Sequence, residues 1–354
     1  MKNITNNENV LFGIIISLVG LLAIIILFPS VLNPIKANSG IYSVEIIKIS
    51  GCNECFNLDI ISANLDKINN IKIKSNKTLD YNSDEAKKLI DKYSITKVPA
   101  LLIISRNIDK ITLDEKVFRK VKNAAVFDKP APYIDLSSGQ VKGLVTLKEV
   151  YDSNCKECTT LSSIEKQLEQ MQVKIKSYDL IDSSSEEGKK LIKENEISYL
   201  PTLLLSKEII DYWWISNKIL VEGDEYYKFN NPIFPYKDIS SSSVKGIVKA
   251  TYLVNNSCTE CYDISELKPS LESLGIYIDS ERFVDIASDE GKNLVILYNI
   301  TDIPTVILSK QILDYTSIKE VLEKVGSFEK DNSFVLRNLA SLNVKYQTIG
   351  GKNG

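Results

Sequence analysis

Histidine is absent from this chain of 354 residues. Without imidazole, cysteine–histidine nucleophilic catalysis and imidazole-bound haem are excluded from within it. A Walker-type loop and a dinucleotide fingerprint are missing too, so any reducing equivalents must come from another protein or a small thiol, and no cofactor is expected. Charge of one sign is not in excess: 43 basic side chains stand against 46 acidic ones, for a formal charge of −3. No basic footprint for nucleic acid follows from that balance, and no such partner is expected. A content of 44% hydrophobic and 25% charged residues is that of a globular chain able to fill several cores.

Cysteine is scarce as well, and its placement is the most informative feature of the chain. All six cysteines fall into three Cys-x-Glu-Cys pairs, Cys52/Cys55, Cys155/Cys158 and Cys258/Cys261, with a constant period of 103 residues (52 to 155, 155 to 258). Other features repeat in phase. A proline heads an apolar run in ITKVPALLIIS, ISYLPTLLLS and ITDIPTVILS, lying 47, 46 and 46 residues after the first cysteine (52 to 99, 155 to 201, 258 to 304). Before each proline stands a helix-like stretch, DEAKKLIDKYSI, EEGKKLIKENEI or DEGKNLVILYNI. The joins also match, PAPYIDLSSGQVKGLV against NPIFPYKDISSSSVKGIV. A repeat of about 100 residues is too long for a solenoid unit and fits tandem domains that each bury a core.

Within the second unit LVTLKEVY reads as a strand, TTLSSIEKQLEQM as a helix following the cysteines, KIKSYDLI as a strand, SSEEGKKLIKENE as a helix and TLLLS as a strand. The third unit repeats that order. Beyond TVILS the units diverge, with QILDYTSIKEVLEKV reading as helical and SFEKDNSFVLRN as a hairpin.

The N-terminal stretch Val10 to Leu32 carries no charge. At about 1.5 Å per residue it is long enough to cross a bilayer as one transmembrane helix. A cleaved signal peptide is the alternative, with Ala37 and Ser39 placed for cleavage before Gly40. On the anchor reading the first nine residues are cytoplasmic, residues 10–32 contact lipid and the remainder is extracytoplasmic, an oxidising setting that suits paired cysteines.

These residues resemble the thioredoxin-like superfamily, three times over between residues 41 and 345. A Cys-x-x-Cys pair following the first strand, with an apolar-Pro-Thr step some 45 residues later, is that family's arrangement. The resemblance implies an α/β fold, a mixed sheet flanked by helices, in three tandem domains. Their expected bounds are 41–137, 138–241 and 242–345, after a 1–9 tail, the 10–32 span and a 33–40 linker, and before a 346–354 tail. It also implies that the pairs are redox centres and that Pro99, Pro201 and Pro304 are cis and lie against the disulfides. Together with Thr202 and Thr305, these prolines would form an edge where an extended substrate segment hydrogen-bonds.

Thiol–disulfide exchange needs a thiolate attacker and a nearby resolving thiol. Placed in the first turn of a helix, Cys52, Cys155 and Cys258 would have their thiolates stabilised by the dipole and would attack, and Cys55, Cys158 and Cys261 would resolve. Glu54, Glu157 and Glu260 either raise the neighbouring thiol pKa or are solvated first-turn acids. With Lys156 pushing the other way, Cys155 is expected to be the most reactive. Departures from the family pattern are clear. Gly51, Asn154 and Ser257 replace the usual tryptophan, Ala100 stands where the other units have threonine, and the buried acid ahead of the cysteines is not clearly placed among Glu45, Glu149 and Tyr252.

The expected partners are protein dithiols or disulfides and a membrane or soluble redox partner. Zinc competes for such pairs, but a closed site needs four ligands and the pairs lie over a hundred residues apart, so no metal is expected. A second class of function stays open, a membrane-anchored binding or folding module whose disulfides are inert. Trp213 and Trp214 read as core or inter-domain packing, Ser240–Ser243 and the segment around Pro130 and Pro132 as linkers, and the closing GGKNG as a frayed end.

Overall fold

Strands rich in Ile, Leu and Val build three copies of one sheet. The computed structural model describes residues 40–349, apart from 64, 66, 67, 69, 70 and 216–218. Unit 1 runs β1 (Tyr42–Ile49), α1 (Asp59–Ser62), β2 (Ile71–Leu79), α2 (Asp84–Tyr93), β3 (Lys97–Val98), β4 (Ala100–Ile104), β5 (Arg119–Val121), β6 (Ala124–Phe127), β7 (Tyr133–Asp135) and β8 (Gln140–Lys142). Unit 2 repeats this with β9 (Val145–Tyr151), α3 (Ser162–Gln170), β10 (Ile175–Asp182), α4 (Glu186–Glu194), β11 (Tyr199–Leu200), β12 (Thr202–Ser206), β13 (Leu220–Glu222), β14 (Tyr226–Phe229), β15 (Tyr236–Asp238) and β16 (Val244–Lys245). Unit 3 has β17 (Val248–Val254), α5 (Lys268–Ser273), β18 (Ile278–Asp285), α6 (Asp289–Leu297), β19 (Asp302–Ile303), β20 (Thr305–Leu308), α7 (Lys319–Glu323), β21 (Gly326–Phe328), β22 (Phe334–Leu336) and β23 (Gln347–Thr348).

Each main sheet has one order, β2-β1-β4-β6-β5, β10-β9-β12-β14-β13 and β18-β17-β20-β22-β21. The first two strands of each unit pair in parallel and the others antiparallel. The central strands β4, β12 and β20 carry runs of buried apolar residues, Ala100–Ile103, Leu203–Leu205 and Val306–Leu308, because both faces of the sheet are covered. In unit 1 one face packs Val44, Ile46 and Leu101 on Phe56 and Ile61; the other packs Ile49, Leu102 and Val126 on Ala86 and Tyr93. The helices behind the second face start alike. Ser83, Ser185 and Ser288 accept the N–H groups of Ala86, Gly188 and Gly291, with acids in the first turn.

The structure corrects three expectations. After the central strand the units diverge less than expected: the helical reading of QILDYTSIKEVLEKV and the hairpin reading of SFEKDNSFVLRN hold, but every unit, not the third alone, continues through a 3-10 turn (Ile108–Lys110, Lys207–Asp211, Lys310–Asp314) and ends in an antiparallel hairpin. Among the described residues unit 3 alone inserts a helix, α7, before its hairpin, entered through a second 3-10 turn (Thr316–Ile318). The segments read as linkers are ordered hairpins, β7–β8 and β15–β16, whose first strands pair with β3 and β11. Their Asp-Ser turns are held by the side chains, with Ser137 N–H on Asp135 and Ser241 N–H on Asp238. Finally, the cysteine pairs do not open a helix. They sit in turns, and α1 and α3 begin only at Asp59 and Ser162.

The units touch through these joins. Trp214 packs against the cores of both unit 1 and unit 2, 6.1 Å from the ring of Phe56. At the next joint a different pair meets, with Phe234 over Tyr315 at 4.0 Å between centroids. Residues 10–32, read as a membrane span, and the closing 350–354 lie outside the described residues. Among the described residues no helix is long and apolar enough to cross a membrane.

Candidate functional site

Each pair forms a disulfide across two intervening residues, with Cα–Cα separations of 4.9, 5.5 and 5.5 Å. No free cysteine is left. The backbone explains why no helix starts there. The N–H of the residue after each second cysteine donates outward, Phe56 to Pro132 O, Thr159 to Pro235 O and Tyr262 to Lys345 O, at 2.8–2.9 Å. A donor held by the strand that leaves the unit pulls the chain off a helical path, so the dipole argument for the first cysteines does not apply.

The sheets give a register that the cysteine period hides. Ile49, Val150 and Leu253 pair with Ala100, Thr202 and Thr305, the residues following the three prolines. From there to the first cysteine, unit 1 has only Ser50 and Gly51, whereas unit 2 has Tyr151 to Asn154 and unit 3 has Val254 to Ser257. The short connection draws the first disulfide inward. Cys55 is 8% exposed and belongs to the core with Ile49 and Ile134, whereas Cys158 and Cys261 are half-buried like the three first cysteines. Gly51 lies so close that a Cβ there would come within 2.8 Å of Pro99 Cδ and 3.0 Å of Cys55 Sγ.

The longer connections of units 2 and 3 are tied down by polar side chains that the sequence reading missed. Asp152 O accepts the N–H of Cys155, Asp152 Oδ1 that of Asn154, and Asp152 Oδ2 takes Lys237 Nζ at 2.5 Å. The Lys237 ammonium, and then the Asn154 N–H, hold the Asp152 carboxyl below its usual range. In unit 3 Asn255 repeats the turn, and its amide donates to Gln347 Oε1 at 2.8 Å. Lys237 and Gln347 stand opposite Leu200 and Ile303, the residues before the prolines. Ile134 occupies that position in unit 1. The signal available beforehand was an Asp or Asn three residues ahead of Cys155 and Cys258, a turn residue lacking before Cys52.

Peptide bonds before Pro99, Pro201 and Pro304 are cis, and all three prolines are buried. Pro99 lies beside the first pair, as the Gly51 approach shows. The two residues before each proline have one edge occupied, by β7, β15 or β23. Thr202 and Thr305 turn their hydroxyls inward, to Tyr199 O and Leu336 O. Glu54, Glu157 and Glu260 are exposed and precede the helices, so they are not first-turn acids, and Glu260 pairs with Lys345 at 3.3 Å. Of the acids ahead of the cysteines, Glu45 faces solvent and Glu149 is 3% exposed, accepting from Tyr178 and from Leu161 N–H. Burial, and then the Glu149 carboxylate, push the Tyr178 phenol above its usual range.

One parallel pair, a central antiparallel strand entered through a buried proline, helices behind the sheet and a cysteine pair after the first strand recur in all three units. Each unit has a thioredoxin-like fold. No family model and no curated protein sequence matches the chain. Among solved structures it is similar to ERdj5 form II, at 10% identity over 83% of this chain and 43% of that one, with a TM-score of 0.18. It is similar to the N-terminal domain of alkylhydroperoxide reductase AhpF from Enterococcus faecalis, at 16% identity over 47% of this chain and 81% of that one, TM-score 0.15. A protein disulfide oxidoreductase from Aeropyrum pernix also matches, at 14% identity over 47% and 77%, TM-score 0.15. This chain spans less than half the length of ERdj5. The thioredoxin-like assignment rests on the topology above and not on these likenesses.

Proposed function

We propose that the chain is a membrane-anchored thiol–disulfide oxidoreductase acting on protein substrates through Cys-x-Glu-Cys centres. The observation that carries this reading is that every cysteine is in a disulfide spanning two residues, with its first sulfur half-buried rather than sealed. Such a bridge closes almost no loop and constrains the unfolded chain little, so chain stabilisation is a weak reason for having three of them.

In the exchange, a substrate thiolate attacks the first sulfur and forms a mixed disulfide, releasing the second cysteine as a thiolate. A second substrate thiolate then attacks its own disulfide-bonded sulfur. The substrate leaves as a disulfide and the centre as a dithiol, with two electrons and two protons transferred; the reverse sequence reduces a substrate. Cys52, Cys155 and Cys258 take the attacking role, and Cys55, Cys158 and Cys261 the resolving one. Pro99, Pro201 with Thr202, and Pro304 with Thr305 shape the edge beside the sulfurs, and Glu54, Glu157 and Glu260 set the local charge. Residues 10–32 anchor the chain in lipid with the thioredoxin-like units, bounded at 41–137, 138–241 and 242–345, on the extracytoplasmic side.

Insulin reduction and reactivation of scrambled ribonuclease test the reading. The full chain should catalyse at least one of them, and replacing all three first cysteines by alanine should abolish it. Activity indistinguishable from the uncatalysed rate, or unchanged in the triple variant, would leave the inert binding module as the function.

A further inference from the structure

The three centres share a motif but not a setting. In unit 1 two residues connect the strand to Cys52, Gly51 is pressed on Pro99, Cys55 is a core residue, and the position opposite Val98 is the apolar Ile134. In units 2 and 3 four residues make that connection, neither sulfur pair is a member of the described core clusters, and the same position carries a polar side chain that ties back to the turn, Lys237 to Asp152 and Gln347 to Asn255. Asn154 and Ser257, where unit 1 has its crowded glycine, are exposed. One period of 103 residues therefore holds one closed centre and two open ones.

Building on the oxidoreductase reading, we infer that exchange with protein substrates is confined to Cys155/Cys158 and Cys258/Cys261, while Cys52/Cys55 is a core disulfide that stays oxidised through turnover. An attacking thiolate must reach a sulfur along the S–S axis, and the rate depends on that access. In unit 1 Cys55 lies in the core and half-buried Cys52 packs against it at the end of a two-residue connection, so approach along the S–S axis is narrower there than at the pairs held outside the core. The turns of units 2 and 3 hold their pairs outside the core clusters, and their tethers tie Asp152 and Asn255 to Lys237 and Gln347, which stand opposite Leu200 and Ile303, the residues before Pro201 and Pro304. Gln347 replacing Lys237, and Asn255 replacing Asp152, show that the tether works with a neutral amide pair as well as with an ion pair.

The test is a brief pulse of dithiothreitol on the oxidised full chain, quenched with an alkylating reagent, with each pair quantified by mass spectrometry of its own peptide. Cys155/Cys158 and Cys258/Cys261 should be reduced at least about tenfold faster than Cys52/Cys55. Shortening the unit 2 connection to match unit 1, by deleting Ser153 and Asn154 with Asp152→Gly, should slow that centre by a similar factor. The swap Asp152→Asn with Lys237→Gln, which imports the unit 3 tether, should leave its rate within about threefold. Equal rates at all three centres in the unaltered chain, or a shortened but folded unit 2 that is reduced as fast as before, would overturn the inference; if the shortened variant does not fold, the unaltered chain decides alone. Insulin turnover is scored separately. Its absence would sink the oxidoreductase reading whatever the order of these rates.

Discussion

Tyr178 donates its phenol hydrogen to the carboxylate of Glu149, and one period later the two residue types have changed places. Tyr252 stands at the Glu149 position and donates to Glu281, which stands at the Tyr178 position, at 3.0 Å. By the sheet register unit 1 has Lys48 there, paired with Asp59 at 2.8 Å. One site on the first strand thus carries a base, an acid and a phenol in turn. In unit 2 the charged group is the inner one; in unit 3 it is the outer one, and the Lys268 ammonium, more than the phenol, holds Glu281 below the ordinary carboxyl range.

The arrangement predicts asymmetric costs. Tyr178→Phe leaves a carboxylate that is 3% exposed with Leu161 N–H as its remaining hydrogen-bond donor, and unit 2 should lose about 1.5–3 kcal/mol, the usual worth of a hydrogen bond to a charged group. Tyr252→Phe leaves Glu281 paired with Lys268 and should cost unit 3 roughly 1 kcal/mol or less. Urea unfolding followed by hydrogen exchange in β9 and β17 reads the two units separately. Equal losses would show that the inner or outer position of the charge is immaterial.

Gly51 gives a second prediction. A methyl group there meets Pro99 Cδ at 2.8 Å and Cys55 Sγ at 3.0 Å, neither of them the far end of a flexible chain. Gly51→Ala should destabilise unit 1 by about 1–3 kcal/mol, the usual range for overpacking. The corresponding Ser257→Ala, at an exposed turn, should stay within about 0.5 kcal/mol. The measurement is the unfolding midpoint of each unit. Gly51→Ala with no loss would mean that the connection to Cys52 yields readily, and the closed setting of that centre would lose its basis.

Much of this was legible beforehand because the repeat is long and its apolar runs are strong. The prolines, the serine-capped helices and the central strands all stand where their patterns place them, since each is decided within about ten residues. What misled was taking the cysteines as the ruler. Their spacing is constant, yet between sheet and sulfur unit 1 is two residues shorter than the others, and the deficit is made up further on. Counting back from the cysteine aligns Glu149 with Ile46, whereas strand pairing aligns it with Lys48. The helix expected at each pair was lost to a long-range bond from the N–H of Phe56, Thr159 or Tyr262, which no local pattern contains. The serine-rich joins looked like linkers by composition, but Asp135 and Asp238 use those serines to close hairpin turns.

The joint between units 1 and 2 carries its own reporter, because both tryptophans of the chain, Trp213 and Trp214, lie there. Tyr212, edge-on to Trp214 at 5.3 Å, donates to Gly143 O at 2.6 Å and accepts Lys174 N–H at 2.9 Å. Tyr315 makes the same two bonds one joint later, to Gly246 O and from Tyr277 N–H. Burial pushes the Tyr212 phenol up to about 12 from an ordinary 10.0. A group whose pKa is raised by folding adds stability that is complete below its unfolded value and disappears as pH rises through the folded one. The Tyr212 contribution should therefore be intact at neutral pH and fade between about pH 10 and 12. Tryptophan emission should shift to the red across that window. Tyr212→Phe strands a backbone acceptor and a backbone donor, at about 1–3 kcal/mol for each group that water does not reach. Its emission should already be shifted at neutral pH and should lose the alkaline step. An alkaline shift that persists unchanged in Tyr212→Phe would mean that another group opens the joint, and the paired bonds of Tyr212 and Tyr315 would then be a consequence of how the units pack rather than what holds them.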